Sequence, residues 1–254
     1  ANLPSILHLA ICSSLCNDSS LSYNGKTHSF DKIGESTEVA LRVLAEKIGL
    51  PGFNDMPRAL TYLSLEERAN HCATYWRGQF ERVSTLEFDR DRKMMSVIGK
   101  RKGQSILFTK GSPEAVLLRC TRVLTNSKGI AEPISTQVRD ALTEKYRTYA
   151  RKSLRVLALA MRPISSDQCH ISPSDETGLT FLGFCGMLDP PRPEVKRAVD
   201  VCRGAGIRVV MVTGDNKLTA EAIAKQIGLD DYGGSGSHPT TSILARKMTA
   251  KAAA

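Results

Sequence analysis

On either side of Asp189-Pro190-Pro191-Arg192 the chain follows two different patterns, and this change constrains the fold more than any other feature. Before it, short β-like runs at 83–88, 93–99 and 105–110 alternate with helices and turns. The turn Lys100-Arg101-Lys102-Gly103-Gln104 joins the last two runs into a hairpin. After it, a helical stripe over 193–203 carries Val195, Ala198, Val199 and Cys202 inward. An unbroken apolar run at 206–212 then predicts a buried strand of a parallel sheet. The tight turn Thr213-Gly214-Asp215-Asn216 and a helix over 218–227 complete a helix–strand–helix unit. The first region is therefore α+β and the second α/β. The double proline removes two backbone donors and stiffens the junction, which suits a hinge; an ordinary helix start ahead of Glu194 explains it equally well.

Local signals place the remaining elements. A helix is expected over 5–16, ending in Asn17-Asp18-Ser19-Ser20. A second follows Gly34-Glu35-Ser36, with Val39, Leu41, Val43, Leu44 and Ile48 recurring at helical spacing before a Gly49 stop and Pro51. Ser64-Leu65-Glu66-Glu67 is a capping box that opens a helix toward Trp76. Ser112-Pro113-Glu114 starts another helix, with Ser as N-cap and Pro at the first helical position. A longer helix over 136–151 carries Val138, Ala141, Leu142, Tyr146 and Tyr149 on one stripe, and 154–161 and 179–188 read as buried strands.

Composition narrows the class. The chain has 254 residues, 41% hydrophobic and 24% charged, which is ordinary for a globular protein of one large or two small domains. A membrane helix takes about 20 apolar residues, and the run at 179–188, broken by Gly183 and Gly186, is too short. The chain begins Ala-Asn-Leu-Pro, without Met or a signal peptide, so a soluble segment of a longer protein is expected. A net charge of +9 suits a polyanionic partner without choosing among nucleotide, nucleic acid and acidic membrane. Seven cysteines, with no C-x-x-C, indicate reduced buried thiols. Cys169-His170 and His71-Cys72 lack partners at metal-ligand spacing.

Four motifs carry chemistry. Thr213-Gly214-Asp215-Asn216 ends the apolar run and opens a helix, a place where phosphate meets free N–H groups and Asp215 can hold Mg²⁺; Asp215 or Asn216 as a plain helix cap is the alternative. Lys110-Gly111-Ser112-Pro113-Glu114 sets a lysine at a strand end beside a helix N-terminus, which suits a nucleotide or is a surface lysine beside a cap. Glu87-Phe88-Asp89-Arg90-Asp91-Arg92-Lys93 sets an aromatic beside three cations, so that a base could stack while the cations meet phosphates; a core Phe before a solvated turn is the alternative. The fourth is the junction. Gly25-Lys26-Thr27 is no P-loop, because Ser20 stands where that motif needs glycine.

In order, G-E-S-T-E, E-F-D-R-D-R-K-M-M-S-V, K-G-S-P-E, L-R-V-L-A-L-A, M-L-D-P-P-R and V-V-M-V-T-G-D-N-K resemble the P-type ATPases over about residues 1–230, above all the sarco/endoplasmic-reticulum type of calcium pump. The resemblance implies an α+β nucleotide-binding domain over 1–188, an antiparallel sheet with flanking helices. It implies a hinge at Asp189, Pro190, Pro191 and Arg192 and a partial α/β haloacid-dehalogenase-like phosphorylation domain over 189–232. The Gly/Ser and Ala/Lys segment at 233–254 departs from the family pattern and is expected to be a flexible tail. By the same resemblance Glu38 reaches the adenine amino group and Phe88 stacks on the ring. Lys93 and Lys110, with Gly111, line the pocket. Arg90 and Arg155 face the phosphates, and Thr213, Gly214 and Asp215 hold the transferred phosphate and Mg²⁺.

The implied ligands are ATP and Mg²⁺. The implied partners are the transmembrane, actuator and phosphorylation domains of a pump on the cytosolic face of the endoplasmic reticulum or another endomembrane, with no nucleic acid. The D-K-T-G-T segment that carries the phosphorylated aspartate and the later G-D-G-x-N-D segment are not in the sequence, so no catalytic residue is assigned and the segment alone is expected to be inactive. Two other readings stay open: a non-enzymatic truncated ATP-binding module, and a pump for Na⁺/K⁺ or H⁺. A nucleic-acid module is disfavoured, because the cations interleave with a nucleotide-pocket pattern.

Overall fold

The computed structural model describes residues 5–50, 62–124, 130–188, 190–213, 217–229 and 244–245. The chain divides into two compact units, Ala1–Ala141 with Leu157–Cys185, and Leu142–Val156 with Gly186–Ala254.

The first unit opens with α1 (Ser5–Leu15), the β1–β2 hairpin (Ser20–Asn24, Ser29–Ile33) and α2 (Ser36–Ile48). α3 (Leu65–Gln79) begins at the expected capping box: Ser64 Oγ accepts from the Glu67 N–H at 3.2 Å, and Glu67 accepts from the Ser64 N–H at 2.8 Å. Its buried residues Ala69, Cys72, Ala73 and Trp76 follow the three-four spacing of a helix with one apolar face. Glu46 of α2 accepts from the Cys72 and Ala73 N–H groups at 2.8 and 3.0 Å and ties the two helices together.

β3 (Glu81–Asp89), β4 (Met94–Arg101) and β5 (Gln104–Gly111) form an antiparallel meander. Lys102 and Gly103, with φ of 48° and 76°, make the two-residue turn whose left-handed backbone matches strand twist. Then come α4 (Pro113–Arg119), β6 (Cys120–Leu124), β7 (Ala131–Pro133), α5 (Thr136–Ala150), β8 (Leu154–Ile164) and β9 (Leu179–Leu188). The sheet order is β3-β4-β5-β8-β9-β6-β7.

Alternate residues of β4 and β5 serve two layers. Met95, Val97 and Phe108 join Leu159 and Leu182 against Ile11, Leu15, Leu41, Trp76 and Phe80 of the helical side. Met94, Ile98 and Leu107 point the other way and are equally buried. Strands covered on both faces read as nearly continuous apolar runs, which is why 94–99 and 105–110 were legible.

Several expectations are corrected. The sheet is mixed rather than antiparallel throughout, because β6 runs parallel to β9; the long connection through β7, α5 and β8 supplies the crossover a parallel pair needs. The β1–β2 hairpin was not expected, although Asn24-Gly25 follows an alternating run, and β6 and β7 had no strong local signal. Ala141, placed on the inward stripe of α5, is exposed, and the stripe runs through Val138, Leu142, Tyr146 and Ala150 instead.

In the second unit, α6 (Pro193–Gly204) and α7 (Lys217–Gln226) pack Val199, Ala224, Ile227 and Leu229 together, with Val195, Val209 and Met211 at the margin. Ala198, expected inward on α6, is exposed. The strand expected over 206–212 is reduced to β10 (Val212–Thr213), paired in parallel with β11 (Leu244–Ala245). Ile207, Val210 and Val212 are 56%, 45% and 68% exposed. Among the described residues β11 is its one strand neighbour, so residues 206–211 have no ladder to join. Apart from Leu244 and Ala245, the tail at 233–254 lies outside the described residues, as do Pro51, Asp189, Gly214, Asp215 and Asn216.

Candidate nucleotide-binding site

The site is built on the end of the sheet where β3 finishes, β4 begins and β5 finishes. One row of paired residues crosses it: Asp89 faces Met94, Met94 faces Gly111, and Gly111 faces Ala158. Lys110 sits in the next row, between Met95 and Leu159, and is 7% exposed. An ammonium among apolar strands needs a counter-charge. It comes from Glu38 in the first turn of α2, whose Oε1 accepts from Lys110 Nζ. Glu38 Oε2 accepts one long bond, from the Asp18 N–H at 3.3 Å. One carboxylate oxygen is thus committed to Lys110, and the other retains acceptor capacity.

Phe88, the penultimate residue of β3, is 60% exposed, so its ring face is open to a ligand. The turn after it is ordered by Asp89, whose Oδ1 accepts from the Arg92 and Asp91 N–H groups at 2.9 and 3.0 Å. The Arg92 N–H bond is the main reason the Asp89 carboxyl is held below its usual range. Lys93 closes the turn at φ 55°, with its N–H on Asp89 O at 2.7 Å, and its own carbonyl accepts from the Ser112 N–H at 3.0 Å. That carbonyl explains Gly111. A Cβ there would lie 2.4 Å from Lys93 O and 2.6 Å from Met94 Cγ, so any side chain would displace the Lys93 turn.

Two residues of this region escaped the sequence reading. Arg92 reaches past the turn to the fully buried Glu176, Nη1 to Oε1 at 2.6 Å, and donates to Glu87 O as well. Glu176 also accepts from Ser96 Oγ at 2.7 Å, and Ser96 meets Thr109 Oγ1 at 2.8 Å. Arg92 was counted only as one of three cations. Ser96 and Thr109, polar residues inside apolar strands, were a trace of the buried acceptor, but nothing local marks Glu176.

Contacts therefore bring Glu38 to Lys110 and Lys93 to Gly111, and the strand ends set Phe88 beside that row. Arg90 is exposed on the turn. Arg155, half-buried at the start of β8, and Thr213, half-buried at the end of β10, belong to the second compact unit. Pro190, Pro191 and Arg192 lead into α6, where Arg192 is the N-cap and Pro193 the first helical residue. No group of three or more His, Cys, Asp or Glu suited to a metal is found among the described residues.

Thiol chemistry is not a property of this site. Cys12 and Cys16 are fully buried, with Cys12 Sγ donating to Thr109 O at 3.6 Å and Cys16 Sγ to Met95 O at 3.4 Å. Burial pushes the Cys16 thiol up to about 11 and raises the Cys12 thiol well above its ordinary value, so neither is a nucleophile near neutral pH.

A family model described as P-type ATPase, cytoplasmic domain N, matches residues 5–194. The chain is also 52% identical, over 231 residues, to a protein of Arabidopsis thaliana named calcium-transporting ATPase 3, endoplasmic reticulum-type. That match covers 91% of this chain and 23% of the relative, so the chain spans about a quarter of the relative's length.

Proposed function

The chain belongs to the P-type ATPase cytoplasmic domain N family, and from that premise we propose that it binds ATP as the nucleotide-binding part of a calcium-transporting pump of the endoplasmic-reticulum type. The observation that carries this reading is Phe88, an aromatic ring 60% exposed at the same end of the sheet as Lys93, Gly111 and the Glu38–Lys110 pair.

Adenine stacks on Phe88, and its amino group donates to Glu38 Oε2, the oxygen that Lys110 leaves available. Lys93 and Lys110 supply positive potential at the pocket wall, and Arg90 and Arg155 meet the triphosphate. Residues 1–188 act as the nucleotide domain, Asp189 to Arg192 as the hinge, and 189–232 as part of a haloacid-dehalogenase-like phosphorylation domain, with 233–254 as a tail. Thr213, Gly214 and Asp215 serve the transferred phosphate, and Asp215 would hold a Mg²⁺ ion that would neutralise phosphate charge. The parent pump forms an aspartyl phosphate on a segment not encoded here and moves Ca²⁺ across an internal membrane, with this region on the cytosolic face. Calcium and the membrane rest on the relative's name. No helix among the described residues is long and apolar enough to cross a membrane.

Calorimetric titration with ATP tests the site. Phe88→Ala should weaken binding on the order of 5- to 150-fold, the equivalent of about 1–3 kcal/mol of base stacking. Because Phe88 is exposed, the fold should be unaffected. Unchanged affinity would remove Phe88 from the pocket, and with it the reading.

A further inference from the structure

We infer that Arg42 is a positioning residue for adenine selectivity, acting on Glu38 through the loop Asn17-Asp18-Ser19. The inference rests on the assignment of Glu38 as the acceptor of the adenine amino group.

Arg42 lies on α2 one helical turn after Glu38 and is 1% exposed. Two of its hydrogen bonds go to Ser19: Nη2 to the carbonyl oxygen, and Nε to Oγ at 3.5 Å. Burial pulls this guanidinium down to about 10, with the charge of Arg77 adding to the effect, so it remains a cation at neutral pH. A charge is kept inside a protein at considerable cost, and here it grips Ser19 of the loop twice.

That loop touches Glu38 at two points. Asn17 Nδ2 donates to the Glu38 carbonyl at 2.8 Å, and the Asp18 N–H donates to Glu38 Oε2 at 3.3 Å. Asn17 Oδ1 in turn accepts from the Ser19 N–H at 2.9 Å and from Ser19 Oγ at 2.7 Å, so the residue Arg42 holds is bonded to the residue that holds α2. Two more arginines grip the same loop from other elements. Arg77 of α3 donates to Asn17 O at 2.7 Å, and Arg82 of β3 pairs with Asp18 Oδ1 at 2.5 Å. Three cations thus fix three consecutive residues, and those residues set where Oε2 points. Arg42 is the buried member of the set and the one on Glu38's own helix.

The readout is the ratio of GTP to ATP dissociation constants, measured by titration of the full chain. Adenine offers Glu38 an amino donor where guanine offers a carbonyl. Arg42→Met should lower the ratio by about threefold or more, since a small misplacement of a recognition group is enough to lose its discrimination. Arg42→Lys, which restores a cation and one donor, should recover most of it. Asp18→Ala cuts the Arg82 grip at an exposed side chain without threatening the fold, and should lower the ratio in the same direction even if Arg42→Met does not fold. Ala45→Gly, a helix-weakening change at another buried position of α2, should lower thermal stability and leave the ratio alone. If Glu38→Ala leaves the ratio unchanged, the assignment of Glu38 fails. If Glu38→Ala collapses it while the Arg42 and Asp18 variants keep it, the positioning role is overturned and the pocket stands.

Discussion

Two apolar segments of nearly the same length have opposite fates in this molecule. Gln104–Gly111 becomes a central strand with neighbours on both edges and apolar layers on both faces; Leu107 and Phe108 are 0% and 1% exposed. Residues 206–212 are at least as hydrophobic, yet only Val212 enters a ladder, and Ile207 and Val210 stay about half exposed. The difference lies in what surrounds each segment. A strand is stabilised by the ladders and side-chain layers on its sides, and an apolar run without them has a propensity but no place to use it.

The largest expected contrast is in core truncation. Phe108→Ala removes a ring that packs edge-on to Phe80 at 5.7 Å, and should lower stability by about 3–5 kcal/mol. Val210→Ala should stay within about 0.5 kcal/mol. Urea unfolding followed by the emission of Trp76, the single tryptophan and 1% exposed, reads the first variant, and far-UV circular dichroism, which sees the helices of both units, reads the second. Equal losses from the two variants would break the comparison.

Hydrogen exchange draws the same line at finer grain. Amides of β4 and β5 should be the slowest to exchange, and those of residues 207–211 should exchange at once or nearly so. Protection of 207–211 equal to that of β5 would mean that the second segment does have a ladder.

Alkylation sharpens it further. All seven cysteines are free; Cys169 alone is exposed, and Cys202 on α6 is half-buried. Iodoacetamide followed by mass spectrometry should label Cys169 first and Cys202 next. Cys12, Cys16, Cys72, Cys120 and Cys185 should react only on unfolding, because burial raises each of these thiols. Early labelling of Cys185 or Cys120 would show the sheet opening far below global unfolding.

The smallest effect concerns acid. The Asp89 carboxyl is depressed in the folded chain, so its support of the Phe88–Lys93 turn is present above the ordinary aspartate value, near 3.9, and is lost as the pH falls through the lower folded value. The amide shifts of Asp91 and Arg92 should hold steady from neutral pH down to about 4 and move below it. Movement centred near pH 6 would point to another group.

Helices α2, α3 and α4 were legible because caps and periodicity are local: Ser64 with Glu67, Ser112 with Pro113, Gly49 at positive φ. The hairpin β4–β5 was legible because both its faces are apolar and its turn needs Gly103. β1 and β2 were not: Ser-Leu-Ser-Tyr-Asn does alternate polar and apolar residues, but over only five positions and with none of them fully buried, and β2 is exposed along its whole length. β6 and β7, of five and three residues, are strands by virtue of what they pair with. The same limit governs the site. Phe88, Lys93 and Lys110 stood out by residue type and context. The bonds that fix Lys110 and the turn at Arg92 join residues 72 and 84 positions apart, and periodicity carries nothing over such distances.

The Glu38–Lys110 pair also bears on how such a chain changes over generations. Each side chain is mostly shielded from water and is the other's counter-charge. Replacing either one alone strands a shielded charge, a change that typically costs about 3–5 kcal/mol. Mutational drift is therefore blocked at single steps and open only to paired ones. A descendant that had ceased to bind nucleotide would still be held to a lysine and a glutamate at these positions by its need to fold. The persistence of Lys110 in a lineage would thus record the architecture of the sheet as much as the presence of a ligand, whereas the exposed Phe88 would be free to disappear with the function.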